Sequence, residues 1–360
     1  MKPGAGSAKA AGCAVFVHRR NVPARQSRSP RIGDYGGTVH RSESKRLVVV
    51  GPTASGKSSL AMAVATLLGA RGIGAEIVCV DSMTVYSGLD IGTAKASLDD
   101  QLLIPHHCID LVDPDVEYSV ADFQRVALAS IADIELRSAV PILVGGTGLY
   151  VDAVVNELNI PGQFPEVRAT LRAELESGAA LGDLYARLAA LDPKAASRME
   201  PTNERRIVRA LEVCIGSGLP FSSFGPGLVE SARTPGAGSR YAMVGLEWER
   251  PALNERIEAR LAQQFDEGFL EEATALFEHY GESLSRTVRQ ALGYRELWEF
   301  LDDLWMFDET LENIALRTRQ FAVRQQRWFR RNPAITWIDG SDPIPELVTQ
   351  TLGVLTSPSK

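Results

Sequence analysis

Residues 46–58 read RLVVVGPTASGKS, and this run restricts the fold more tightly than any other part of the chain. An unbroken stretch of β-branched and aliphatic residues predicts a strand buried on both faces, as in a parallel sheet. Gly51, Gly56, Lys57 and Ser58 then satisfy G-x-x-x-x-G-K-[ST], and SSLAMAVATLL over residues 58–68 predicts a helix directly after it. The glycines let the backbone curl so that successive N–H groups converge on phosphate oxygens at a helix N-terminus. Lys57 adds a mobile positive charge, and the Ser58 hydroxyl can ligate Mg2+. Gly51, Pro52, Thr53, Ala54, Ser55, Gly56, Lys57 and Ser58 are therefore the candidate phosphate-binding residues. A glycine-rich turn with an exposed lysine is the bland alternative, and the flanking strand and helix argue against it. Nucleotide hydrolysis, phosphoryl transfer and diphosphate-leaving group transfer all use such a cradle, so the rest of the chain must choose among them.

At 360 residues with 45% hydrophobic content, the chain can bury a core of about two domains. No segment approaches the roughly 18 apolar residues of a membrane helix. Cys13, Cys79, Cys108 and Cys214 lie far apart, which offers neither a disulfide framework nor a zinc site and suits a reducing, cytoplasmic setting. Lys and Arg number 38 against 45 Asp and Glu. The first 45 residues nevertheless hold nine basic side chains against Asp34 and Glu43 alone, so the remainder is more acidic than the whole. Contact with a polyanion must then be local. Residues 1–44 lack the apolar content for a core and are expected to be a disordered basic tail; a transit-type presequence, an RNA-touching arm or an early translation start are the alternatives.

Residues 75–80, AEIVCV, predict a second buried strand with Asp81 and Ser82 at its C-terminal end, the edge where open α/β sheets bind ligands. Asp81 is placed to accept a proton or to order a metal-bound water, with an Asx-turn or helix N-cap as the structural alternative. The polar, glycine-containing run from Met83 to Lys95 reads as a binding loop. In PHHCIDLVDP, a short β segment is expected at residues 108–112; His106 and His107, being adjacent, point to opposite faces and make a poor shared metal site. Ser119 with Asp122 predicts a capped helix running to about Leu136. A strand at residues 141–144 then leads into Gly145, Gly146, Thr147 and Gly148, a loop that brings backbone and a hydroxyl against a ligand or simply turns tightly.

Together, GPTASGKS, the DS-x-x-x-Y-x-G-x-DIGTAK stretch over 81–95, PHHCIDLVDP, GGTGLY, RRIVRALEV over 205–213, GYREL over 293–297 and TRQFAVRQQRWFR over 318–330 resemble the bacterial tRNA dimethylallyltransferases. The resemblance covers essentially residues 46–340. It implies an α/β fold: a P-loop NTPase-like parallel sheet flanked by helices, with an inserted all-helical subdomain and a helical C-terminal part. Residues 45–159 and 202–340 are expected to form the core, 160–201 the helical insertion that contacts tRNA, and 341–360 a C-terminal tail.

The resemblance further implies transfer of a dimethylallyl group from dimethylallyl diphosphate to the exocyclic amine of the adenosine 3′ of the anticodon. An aromatic amine is a weak nucleophile, so diphosphate must be stabilised as it leaves and the amine proton removed as the bond forms. By resemblance, Asp81 is the base, Arg209 the arginine on the diphosphate, and Thr53 and Thr147 flank the reacting groups, with Mg2+ on Ser58. The tRNA contacts so implied are Asp81, Ser82, Met83, Thr84, Thr147, Arg205, Arg206, Ile207, Val208, Arg209, Arg289, Gln290, Gly293 and Tyr294. Arg324, Arg327, Trp328 and Arg330 join them from a stretch, residues 313–332, that holds six arginines and no acid. Arg317, Arg324, Arg327 and Arg331 share one helix face beside Trp328, which suits phosphate contact and base stacking. Eukaryotic members append a zinc finger, and no Cys/His cluster follows Cys214 here. A monomer binding the anticodon stem-loop is expected. A small-molecule kinase, a transferase acting on free adenine nucleotides and a nucleotide-binding RNA switch are the competing readings.

Overall fold

The structure, a computed structural model, describes residues 46–224 and 240–357. The basic tail expected over 1–44 lies outside the described residues. In chain order the first elements are β1 (Arg46–Val50), α1 (Lys57–Ala70), β2 (Ala75–Cys79), α2 (Leu98–Leu103), β3 (His106–His107), α3 (Val120–Leu136), β4 (Val140–Gly145) and α4 (Gly148–Val155). A helical run follows: α5 (Pro165–Glu176), α6 (Leu181–Leu191), α7 (Pro193–Ala196) and α8 (Glu204–Ser217). The chain then forms β5 (Tyr241–Glu247), α9 (Arg250–Asp266), α10 (Phe269–Tyr280), α11 (Tyr294–Leu301), α12 (Phe307–Phe329), β6 (Ile335–Asp339) and α13 (Ile344–Thr356).

The six strands make one parallel sheet in the order β3-β2-β4-β1-β5-β6. Successive residues of β1 face opposite layers, which is why its sequence is apolar without alternation. Leu47 and Val49 pack into the layer formed with α1 and α13, while Val48 and Val50 enter the layer shared with α3, α4 and the C-terminal helices. All five β1 residues are buried. The α3 start follows the predicted capping box: the Asp122 N–H donates to Ser119 Oγ at 3.2 Å, and the Ser119 hydroxyl donates to Asp122 Oδ2 at 2.6 Å.

Three expectations are corrected. The strand near residue 108 is instead His106–His107, because Cys108 and Asp110 turn to φ +64° and +50° and leave the sheet. The two histidines do diverge: His106 Nδ1 pairs with Ile104 O and His107 Nε2 with Glu76, each at 2.7 Å. The helical unit over 160–201 does not end there, since Leu171, Leu184 and Leu188 share their small core with Ile207, Leu211 and Cys214 of α8. Residues 341–360 contain no mere tail: α13 buries Leu347, Val348, Thr351, Leu352 and Leu355, a stripe of helical spacing that closes the sheet over α1. Replacing Leu347 with Ala should therefore lower stability by roughly 2–5 kcal/mol in a urea melt; an unchanged midpoint would mean that α13 is dispensable.

Candidate active site

Between β1 and α1 the phosphate loop is held by its carbonyls. Pro52 O accepts from Lys57 Nζ at 2.6 Å, Ala54 O from Arg256 Nε at 2.8 Å, and Ser55 O from Trp248 Nε1 at 3.0 Å. Arg256 lies 4.3 Å from the Trp248 ring centroid, so the two anchors brace each other. Gly56 takes φ +91° at the helix start, a conformation strained for residues with a Cβ. The first intrahelical bond runs from Leu60 N–H to Gly56 O at 3.0 Å, which leaves the N–H groups of Gly56 to Ser59 directed outward as an anion site. Ser58 is exposed there. Thr53 N–H is not free for an anion, because it donates to Gln325 Oε1 at 2.8 Å.

A further cation beside this loop belongs to none of the motifs. Arg260, on α9, donates to Thr53 Oγ1 at 3.3 Å and to Thr93 O at 3.4 Å. Burial pulls its guanidinium below the usual arginine range, opposed by Asp81. Burial, with Arg260 nearby, also lowers Lys57 to about 7, again against the pull of Asp81. Arg256 and Arg260 are four residues apart on one helix face, a spacing legible in the sequence, but only the tertiary fold brings that face to the loop. Arg209, the arginine expected at the diphosphate, lines the cleft that also holds Asp81 and Thr147, and donates to Glu212 Oε1 and Pro161 O, each at 2.8 Å.

Asp81 follows β2 and forms the Asx-turn weighed as its structural reading. Its Oδ1 accepts from the Met83 N–H at 2.8 Å, while Oδ2 accepts from the Thr147 hydroxyl at 3.3 Å. Thr147 Oγ1 also accepts from Ser82 N–H at 3.3 Å. The loop of residues 83–95 is fastened by Glu272, whose carboxylate accepts from the N–H groups of Asp90, Ile91 and Gly92 and from the Tyr294 hydroxyl.

Two cavities meet at Asp81. A small one of about 120 Å³ lies against Thr53, Ala54, Gly92 and Arg260 and is otherwise largely apolar, with Ile257, Leu261, Phe269, Ile314 and Phe321 in its wall. An open cleft of about 1700 Å³ runs over Asp81, Met83 and Thr147 toward α5, α8 and α12. Ten arginines line that cleft against four acids, and Glu212 and Glu296 among those acids are buried. The chain is acidic overall, yet this surface is basic, as local polyanion contact requires.

The predicted contact residues separate accordingly. Ser82, Met83, Thr147, Arg205, Arg206, Val208, Arg209, Gln290 and Arg324 line the cleft. Gly293 and Tyr294 line only the small cavity, and Tyr294 is otherwise a core residue. Thr84 and Ile207 are buried, and Arg327 is exposed but lines neither cavity. Arg289 bonds the carbonyls of Leu284 and Glu282. Arg330 pairs with Glu247, and Arg331 lies beyond the end of α12. Trp328 turns away from the cleft to donate to Asp152 at 2.9 Å, and burial pushes that carboxyl up to about 6. Phe321, with Arg324 at 5.7 Å from its ring centroid, lines the cleft together with Tyr150 and Phe221; one turn before Arg324 on the same face, it was within reach of the helical spacing.

A Lys57 ammonium that deprotonates near pH 7 when empty and holds its proton beside an anion must take up a proton on binding. Affinity for inorganic diphosphate should then fall as pH rises above about 7, by up to tenfold per unit, with proton uptake visible by calorimetry in buffers of different ionisation enthalpy. Lys57→Met should flatten that dependence relative to wild type, and equal slopes in the two proteins would exclude the assignment.

Comparison with known proteins identifies the family. Residues 84–332 match the family described as IPP transferase. The tRNA dimethylallyltransferase of Bifidobacterium longum is 40% identical over 311 residues, covering 85% of this chain and 89% of that protein. The crystal structure of the full-length tRNA isopentenylpyrophosphate transferase from Bacillus halodurans has a TM-score of 0.61 at 35% identity, covering 87% of this chain and 97% of that one. A eukaryotic dimethylallyltransferase acting on tRNA has a TM-score of 0.66 at 26% identity, over 83% of this chain and 74% of its own. The parallel sheet with its phosphate loop is thus shared with solved structures of such enzymes, and the chain belongs to the IPP transferase family.

Proposed function

We infer that this protein moves a dimethylallyl group from dimethylallyl diphosphate to the exocyclic amine of the adenosine 3′ of the anticodon in tRNA, releasing diphosphate. The activity, tRNA dimethylallyltransferase, follows from family membership over most of the chain. The observation that carries the finer reading is the meeting at Asp81 of a basic cleft with an apolar cavity that ends on the phosphate loop.

Each half of the chemistry then has its residues. Diphosphate binds at the N–H groups of Gly56 to Ser59, with Lys57 and Arg260 gathering the charge that grows on the departing oxygen. Arg260, which contacts Thr53, joins Arg209, the arginine the resemblance implies for the leaving group. Mg2+ fits at Ser58, an exposed hydroxyl with no hydrogen-bond partner among the described residues and an oxygen ligand beside those amides. Held there, the ion would supply Lewis-acid neutralisation of the leaving group. The apolar wall of the small cavity receives the five-carbon chain and keeps water from the allylic carbon.

On the other side, an adenine unstacked from the anticodon loop enters the cleft, where Phe321 offers a stacking face and Arg205, Arg206 and Arg324 reach phosphates. As the amine nitrogen bonds to the allylic carbon, the carbon–oxygen bond to diphosphate breaks and the amine proton passes to Asp81. Thr147 orients that carboxylate. A single chain supplies all these parts, so a monomer suffices; no helix among the described residues is long and apolar enough to cross a membrane.

Labelled dimethylallyl diphosphate, with Mg2+ and either an unmodified anticodon stem-loop or AMP, tests the acceptor: label should enter the stem-loop, and label confined to AMP would overturn the reading. Asp81→Asn should lower single-turnover transfer by about 100- to 10,000-fold while diphosphate affinity changes by less than about threefold. Transfer at the wild-type rate would remove Asp81 from the role of base.

A further inference from the structure

Gln325 lies on α12, far in sequence from either reactive loop, and is buried at 6% exposure. Both ends of its amide are used. Oε1 accepts the Thr53 N–H at 2.8 Å, and Nε2 donates to Gly146 O at 2.9 Å. The residues so joined stand next to the chemistry: Thr53 Oγ1 accepts from Arg260 at 3.3 Å, and Thr147, directly after Gly146, donates to Asp81 at 3.3 Å. A Cβ on Gly146 would fall 2.3 Å from Gln325 Nε2, so the glycine is what lets the amide come this close. One turn further along α12, Trp328 seats the same loop by donating to Asp152 on α4.

We propose that Gln325 is a positioning residue, a neutral two-ended spacer that sets the separation between the phosphate loop and the Asp81–Thr147 pair. This rests on the function proposed above. The two loops leave neighbouring strands, β1 and β4, whose register ends at Val50 and Gly145; beyond it the Gln325 side chain connects Thr53 to Gly146. An amide suits this connection because one end must accept from an N–H and the other donate to a carbonyl. An ionised carboxylate of the same length can only accept, and a thioether provides neither bond of useful strength. The same helix lines the RNA-facing cleft with Arg317, Phe321 and Arg324, so the element that meets the acceptor also holds the donor loop in register.

The test compares wild type with Gln325→Met and Gln325→Glu, using a labelled donor and anticodon stem-loop at saturation. Wild-type transfer must be seen first; its absence would defeat the proposed function rather than the spacer. Gln325→Met should lose about 10- to 100-fold in kcat, with the donor KM and the affinity for inorganic diphosphate within about threefold and the melting midpoint within a few degrees. In Gln325→Glu, lowering the pH protonates the new buried carboxyl, which regains an O–H donor for Gly146 O while still accepting from Thr53 N–H. Its kcat relative to wild type at the same pH should climb at least about fivefold between pH 8.5 and 6, while the Gln325→Met ratio stays level. Dividing by the wild-type rate at the same pH removes the pH dependence that the two enzymes share. A Gln325→Met enzyme with wild-type kcat, or a Gln325→Glu ratio independent of pH, would overturn the proposal. Should the Met variant fail to fold, the Glu profile decides the matter.

Discussion

A loop can turn its amide hydrogens toward an anion only if its carbonyls find donors elsewhere, because unpaired peptide groups in a half-buried site are costly. In this protein Lys57, Arg256 and Trp248 supply those donors at Pro52, Ala54 and Ser55. Two of the three come from the chain after β5, nearly 200 residues away. The glycine-lysine motif is therefore necessary to the cradle but does not hold itself open. Its geometry depends on α9 being packed across it, and α9 in turn brings Arg260 to Thr53.

Burial of acids accomplishes a related task on the RNA side. Glu212 accepts from Arg168, Arg209 and the Phe164 N–H, tying the entry to the helical unit to α8. Glu296 pairs with Arg317 and caps the Gly293 N–H, and Glu272 fastens residues 90–92. A buried carboxylate with several donors fixes direction well even where its net contribution to stability is small. Glu212 and Glu296 help an acidic chain keep a basic cleft: both are buried, and their charge is taken up by Arg168, Arg209 and Arg317 of its lining.

Much of this is legible in short stretches of sequence. The β1–α1 unit, the α3 capping box, Asp81 at the end of β2 and the opposed histidines all rest on spacings within about a dozen residues, and each lies where local physics places it. The resemblance lent order to these pieces. The partners of Arg209 and Trp328 are less legible. Both carry the right chemistry on the right helices and bond Glu212 and Asp152, and no local pattern records which partner a side chain will meet across the fold. The helix over 344–356 escapes notice for another reason: its apolar stripe is present, while the motifs end before it.

What the amino-acid order determined alone was the sheet's buried strands, the phosphate cradle and the carboxylate beside it, because hydrogen-bond geometry and hydrophobic period act between near neighbours. Tertiary structure alone decided that Arg260 reaches the cradle, which aromatics line the cleft and that Gln325 spans two loops. Those outcomes depend on how separate helices pack against one sheet, and side chains distant in sequence reach the same few ångströms only once that packing is complete.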